Sequence, residues 1–337
     1  MSTSRDSQRI VIAGASSLLG AELKSLLEES RFAGWEISLV DEEAAAGTLT
    51  EAGGEPAVIQ PVEEGTFDRA KLIFFAGSAA FTERNLPAAR ESGAIIIDLS
   101  GAALTMDGTR VWFGVDAPGE STQQHKPVYA VPSAPGLIAG RLLDALTRAA
   151  LCRLAIVFFR PVSEAGRAGI DELEAQTSHL LSFQSIGQPV FDTQVAFNLL
   201  DHYGPASREN LQAVRDRVRR EVSAASMQSS ASTKIVPSIQ VLHAPVFYGY
   251  TFVANSELKP GQSRETLAEL LRKSGFSLDI AASSPLGNIV AAGDSAIHLA
   301  APEDDPAQPG TWWLWGAADN VRLPAVTAIK LAEKLVA

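Results

Sequence analysis

Short apolar runs alternate with amphipathic stretches along the first third of the chain. Arg9-Ile-Val-Ile-Ala13 ends at Gly14 and predicts a buried strand, and Leu18 to Glu29 follows with helical spacing. Leu18, Leu19, Leu23, Leu26 and Leu27 share one broad face, with Glu22, Lys24, Glu28 and Glu29 among the remaining positions. A second run, Glu36-Ile-Ser-Leu-Val40, stops at acidic Asp41-Glu42-Glu43. Leu72-Ile-Phe-Phe75 and Ala94-Ile-Ile-Ile-Asp98 predict further strands, with a helix over Asn85 to Ser92 between them. Strands alternating with helices predict βαβ units and a mostly parallel sheet.

Beyond about Pro132 the pattern becomes mixed. Helices are expected over Gly136–Ala150, Asp171–Leu181, Arg208–Ala224 and, last, Pro324–Val336. Strand-like runs recur at Arg153–Arg160, Ile235–Leu242, Val246–Val253 and Ile289–His298, and Trp312, Trp313 and Trp315 are expected to pack between domains. There is no internal repeat, and only Ser223–Thr233 is compositionally biased, toward Ser and Ala.

At 337 residues the chain predicts two domains, and 46% hydrophobic with 20% charged residues is a globular balance. A net charge of −11 argues against nucleic acid as a partner. No apolar run is long enough to span a bilayer, and the polar start Met1–Arg9 does not read as a signal peptide. The single cysteine, Cys152, rules out an intrachain disulfide and a cysteine-rich metal site, so a cytoplasmic protein is expected. His125, His179, His202 and His298 show no metal-ligand spacing, and no metal is expected. Arg215, Arg217, Arg219 and Arg220 share a helix with Asp216 and Glu221; a solvated face is the default, an anion site the alternative.

The candidate chemistry begins at Gly14-Ala-Ser-Ser-Leu-Leu-Gly20, between the first strand and the first helix. A glycine turn there lets a pyrophosphate reach backbone N–H groups at a helix N-terminus, here those of Gly14, Ser16, Ser17, Leu18 and Leu19. Only the outer two glycines are present, with Ser17 at the middle position; a turn that merely joins strand to helix is the plainer alternative. Asp41 and Glu42 close the second strand. Acids at that point accept from the adenosine ribose hydroxyls and repel a 2′-phosphate, favouring NAD over NADP, unless both simply belong to a solvated loop.

These motifs resemble, in order along nearly the whole chain, those of the aspartate-semialdehyde dehydrogenase family. The glycine turn resembles its phosphate-binding turn, Phe75-Ala-Gly-Ser-Ala79 its second cofactor loop, and Ile97-Asp-Leu-Ser100 with Met106-Asp107 its strand and loop beside the nicotinamide. Tyr129-Ala-Val-Pro-Ser-Ala-Pro135 falls where the nucleophile loop belongs. Phe159-Arg-Pro-Val-Ser-Glu-Ala-Gly-Arg-Ala-Gly169, Ala196-Phe-Asn198, Pro245-Val-Phe-Tyr-Gly249 and Asp319-Asn320 with Arg322 continue the likeness. The resemblance implies an α/β protein: a Rossmann NAD(P)-binding domain over 1–132 with 322–337, and an α+β semialdehyde dehydrogenase dimerisation domain over 133–321. It adds Ala76, Gly77, Ser100 and Asn320 to the cofactor-binding candidates and implies a homodimer formed through the middle domain's sheet.

The family's reaction uses a cysteine thiolate, a histidine base, an orienting glutamine and arginines for the substrate, and this chain lacks them. The nucleophile position falls on Ala134, the glutamine on Arg160, an arginine on His243 and the base on Tyr250. Ser133 is a poor substitute because an alkoxide leaves badly, and Cys152 is expected to be a small apolar filler. Two readings follow. One is a catalytically impaired or non-catalytic paralogue, similar to USG-type relatives, that binds NAD(P) or a small acidic metabolite. The other is an NAD(P)-dependent oxidoreductase on a small semialdehyde in amino-acid biosynthesis, with Tyr250 as acid and Arg160 as carboxylate clamp.

Overall fold

The structure, a computed structural model, describes residues 8–52, 55–115, 128–228, 235–278 and 285–336. His125, Met1–Ser7 and the end of the Ser/Ala-rich stretch lie outside these residues. The chain divides into two compact units, Met1–Ser133 with Pro324–Ala337, and Ala134–Leu323.

In the first unit, strands β1 (Arg9–Ala13), β2 (Glu36–Asp41), a small antiparallel pair β3 (Leu49–Ala52) and β4 (Glu55–Val58), β5 (Gln60–Pro61), β6 (Ala70–Phe75), β7 (Ile95–Asp98), β8 (Arg110–Val111) and β9 (Val128–Ala130) accompany helices α1 (Leu18–Glu29) and α2 (Ala79–Glu91). Seven strands form one parallel sheet in the order β5-β2-β1-β6-β7-β9-β8. The fold class is α/β with a Rossmann-like first unit. β1 and β6 are buried on both faces, which is why their sequences run continuously apolar. Val11, Ile73, Phe75 and Ile96 meet Phe81 and Leu86 of α2 in one core cluster. α2 begins six residues before the predicted start because Ser78 caps it, its Oγ accepting from Phe81 N.

The second unit holds α3 (Ala134–Arg148), β10 (Leu151–Arg160), α4 (Gly166–Leu181), α5 (Leu211–Gln228), β11 (Ser238–His243), β12 (Tyr250–Leu258), α6 (Arg264–Lys273), β13 (Phe276–Ser277), α7 (Asn288–Ala291), β14 (Ile297–Leu299), β15 (Glu303–Asp304) and β16 (Thr311–Ala318); α8 (Arg322–Leu335) leads out of it. Its mixed sheet runs β11-β10-β12-β16-β14-β13, with β15 beside β16. Burial alternates along β10 and β12, the mark of one covered and one open face. The amphipathic α3 packs on these two strands.

Four expectations change. Ile289–His298 is not a strand: α7 and β14 share it, and Asn288 Nδ2 donates to Tyr248 O at 3.2 Å, fixing the start of the helical turn. The helix expected to reach Ala150 stops at Arg148, and Ala150 takes a left-handed φ of 59° that starts β10 two residues early. Cys152 therefore lies in β10 and is exposed, not an apolar filler. Trp313 and Trp315 are partly exposed on β16 and bond within their own unit, to Asp305 Oδ2 at 3.1 Å and Leu286 O at 2.8 Å.

Candidate functional site

Gly14 turns β1 into α1 with a φ of 95°, and a Cβ on it would stand 2.1 Å from the Gly77 backbone nitrogen. Both facts require glycine. Ser17, at the position of the missing glycine, is the N-cap of α1. Its Oγ accepts from Gly20 N at 2.9 Å and lies within donating distance of Gly14 O (2.8 Å) and Ala76 O (2.9 Å). One hydroxyl thus fastens the glycine turn to the loop of Ala76 and Gly77. Among the described residues, the N–H groups of Leu18 and Leu19 have no acceptor at the start of this 12-residue helix. Such a helix end favours an anion.

Asp41 is not part of a solvated loop. It is 6% exposed, and its carboxylate accepts from Ser16 N and Glu42 N, both at 2.7 Å. Glu42 is the outward acid, 3.3 Å from Arg84 and 3.4 Å from the Ser78 hydroxyl. Ser100 is buried and donates to Asp98 Oδ1 at 2.6 Å, so that hydroxyl shapes the turn after β7. A cleft of about 430 Å³ beside β2 and β5 is lined by Ser38, Gln60, Glu63 and Thr66 among others, and no residue of the glycine turn lines it.

A second constellation lies inside the other unit. The last residue of β10, Arg160, is 2% exposed and pairs in register with His243 of β11. Its Nη1 donates to Tyr203 Oη at 3.1 Å and its Nη2 to Glu209 Oε2 at 2.6 Å, while its buried Nε–H has no partner. Tyr203 Oη lies 3.3 Å from His243 Nδ1, and His243 Nε2 lies 3.3 Å from Val195 O. A carbonyl only accepts, so Nε2 carries the imidazole proton and Nδ1 receives the Tyr203 hydroxyl. Burial lowers the His243 pKa to about 4, with Arg160 adding to the push and the Val195 bond opposing it. Burial pulls the Arg160 pKa down, but Tyr203, Glu209, Tyr250 and Glu164 raise it further, so the guanidinium stays charged.

The fully buried Tyr250, first residue of β12, donates to Glu164 Oε2 at 3.4 Å. Asn320 accepts from Gly249 N at 2.9 Å and donates to Glu164 Oε1 and Ser163 Oγ, each at 3.1 Å. Its side chain is thus committed within the second unit. Burial raises the Glu164 pKa against the pull of Arg160, Asn320 and Arg217, and burial with Glu164 raises Tyr250 well above its usual range. On α5, Arg217 pairs with the buried Glu221 at 2.9 Å, and Arg215 and Arg219 reach Gln240 and Ile239 O of β11. Arg215 and Arg219 therefore reach the sheet, while Arg219 and Arg220 remain exposed.

Residues 9–133 match the family model described as semialdehyde dehydrogenase, NAD binding domain, and residues 143–323 match semialdehyde dehydrogenase, dimerisation domain. The chain belongs to the semialdehyde dehydrogenase family. A USG-1 protein homolog of Azotobacter vinelandii is 29% identical over 334 residues, covering 97% of each chain. An aspartate-semialdehyde dehydrogenase of Rickettsia bellii is 24% identical over 336 residues, again covering 97% of each. A solved probable aspartate-semialdehyde dehydrogenase from Pseudomonas aeruginosa superposes with a TM-score of 0.83 at 26% identity, covering 98% of both chains.

Within this family member, Ala134 opens α3 and is 1% exposed, with no thiol near it in sequence. Arg160, His243 and Tyr250, scattered in sequence, belong to one hydrogen-bonded and charge-coupled group. Sequence reasoning missed three of its members. Glu164 lies in the motif Phe159–Gly169 as a charged residue just beyond a strand end, a usable signal; Tyr203 and Glu209 lie in a loop with no signature. His298 is buried and 2.9 Å from Asp294. Among the described residues no group of His, Cys, Asp and Glu is placed to hold a metal ion, and no helix is long and apolar enough to cross a membrane.

Proposed function

We propose that this semialdehyde dehydrogenase family member is a catalytically impaired or non-catalytic paralogue that binds NAD in preference to NADP and functions as a homodimer. The observation that carries this reading is the occupation of the reaction centre by residues bonded to one another. Tyr250 is tied to Glu164 and Arg160 to Glu209, with Ala134 at the nucleophile position. Losing a nucleophile and its base removes about 10⁴–10⁶ in rate.

The first unit supports the cofactor. The paired backbones of Gly14 and Gly77 and the open N–H groups of Leu18 and Leu19 suit a pyrophosphate. Asp41 and Glu42 would face the adenosine ribose, and bound NAD would supply a hydride acceptor. Arg84, held by Glu42, tempers the repulsion of a 2′-phosphate without cancelling two acids. The homodimer reading draws on the open face of the second sheet, where Val157, Phe159, Val253, Trp313 and Trp315 form an incompletely covered apolar strip. With its one exposed cysteine the protein suits a reducing cytoplasm.

A second reading retains proton chemistry, because Tyr250 and Glu164 make a donor–acceptor pair fit to exchange a proton. It would act on an aldehyde or oxo group without a covalent step. NAD(P)H absorbance with aspartate semialdehyde, with and without phosphate, tests both, alongside thermal shifts with NAD and NADP. Phosphate-dependent turnover at ordinary enzyme rates sinks the impaired reading. Turnover without phosphate supports the second reading, a shift with neither nucleotide removes cofactor binding, and stabilisation by NADP alone overturns the preference for NAD.

A further inference from the structure

Arg160 holds its loop carboxylate by an incomplete grip. A guanidinium bonds a carboxylate best side-on, with two parallel N–H groups on two oxygens. Glu209 takes only Nη2, at 2.6 Å, Tyr203 takes Nη1, and Nε–H is buried without an acceptor. An unmade bond at a buried charged donor costs more than a made one contributes, so the geometry asks for another oxygen beside Nε. The Arg160 side chain is 3% exposed and that of Glu209 26%, so the bridge has its open side at the glutamate.

Both partners come from one loop ahead of α5. Its backbone is pinned where Gly204 N donates to Phe191 O at 3.1 Å and Arg208 N to Val190 O at 2.9 Å. Glu209 follows the second pin directly, so turning its side chain outward needs no movement of the loop. What it vacates is the volume and charge of one carboxylate head group.

We infer that Arg160 is a binding site for a small carboxylate, and that Glu209 is a built-in competitor occupying it in the free protein. The incoming group takes Nε and Nη2 side-on, Nη1 stays on Tyr203, and the displaced Glu209 turns to water. This deepens the metabolite-binding reading above by naming the head group held and the residue that opposes it.

Wild type, Glu209→Ala and Glu209→Gln are titrated calorimetrically with sodium acetate, sodium succinate and inorganic phosphate at fixed ionic strength, with thermal midpoints read in parallel. Glu209→Ala is expected to bind acetate at least about tenfold tighter than wild type, and acetate but not chloride restores its midpoint. Glu209→Gln keeps the volume, and decides the matter if the alanine variant does not fold; its gain is expected with succinate. No gain in a folded variant overturns the inference, as does equal binding by wild type and variant. Phosphate gaining as much as acetate overturns the assignment to carboxylates. NAD and NADP shifts are read separately, so failure of cofactor binding and failure of this site are distinguishable.

Discussion

The glycine turn and the Arg160 cluster present their polar groups by opposite means. The turn is made of backbone: Gly14 against Gly77, a serine cap, and N–H groups left open at the start of α1. The cluster is made of side chains that satisfy one another, Arg160 with Tyr203 and Glu209, and Tyr250 with Glu164. The donors of a backbone cradle belong to every residue, so replacements that leave Gly14 and Gly77 in place leave the donors in place. A side-chain centre does depend on which residues stand in it, and here Arg160, Glu209, Tyr250 and Glu164 form an internal polar network. The proposed function therefore lets nucleotide binding and chemistry be tested separately in this fold.

The largest effect should come from breaking the cluster's charge balance. Glu209→Ala leaves a nearly buried guanidinium without its counter-ion and is expected to cost about 3–5 kcal/mol in a urea unfolding series. Glu209→Gln should cost clearly less. Next, Gly14→Ala places a Cβ against the Gly77 backbone at a φ of 95°, and about 3 kcal/mol of destabilisation is expected together with loss of any nucleotide-induced thermal shift. If the cradle were only a connector, the stability would fall but no nucleotide shift would exist to lose.

The acid response sharpens the contrast. With a pKa near 4 against the usual value of about 6.5, His243 stays neutral in the fold while the unfolded chain takes a proton. Stability should therefore fall by on the order of 3 kcal/mol as pH drops from 6.5 to 4. Glu164 has the opposite sign: its raised pKa favours the fold most strongly in acid, and that advantage is lost as pH rises above the usual carboxyl range. Urea midpoints across this window, with His243→Gln and Glu164→Gln as separate variants, resolve the two slopes; an unchanged acid-side slope in His243→Gln would sink the assignment. The smallest effect is expected at Ser17→Ala, about 1 kcal/mol for a lost N-cap, with a weaker nucleotide shift.

The parallel sheet was legible because fully buried strands such as β1 and β6 write uninterrupted apolar runs, and Gly14 marks the turn between β1 and α1. The ordered motifs identified the family. Ile289–His298 reads as a strand because the β-branched pair Ile289 and Val290 fits a strand and a helical turn equally well, and the bond from Asn288 to Tyr248 O is not written in the pattern. The cluster was half legible: Arg160, His243 and Tyr250 stand at strand positions that motifs can locate. Glu209 and Tyr203 reach Arg160 across 49 and 43 residues from an unpatterned loop, and only the folded chain brings them there. Ser17 departs from the glycine pattern, yet its hydroxyl joins the glycine turn to the loop of Ala76 and Gly77, work that a glycine has no side chain to perform.

Cys152 has one last consequence. It is the chain's single thiol, it is exposed, and it sits near the start of β10 in the sheet that carries the apolar strip. A maleimide dye or nitroxide would therefore attach at one site in the native protein, without removal of other cysteines. Energy transfer or spin–spin broadening between labelled copies, followed on dilution, would turn a residue with no part in the chemistry into the molecule's own gauge of self-association.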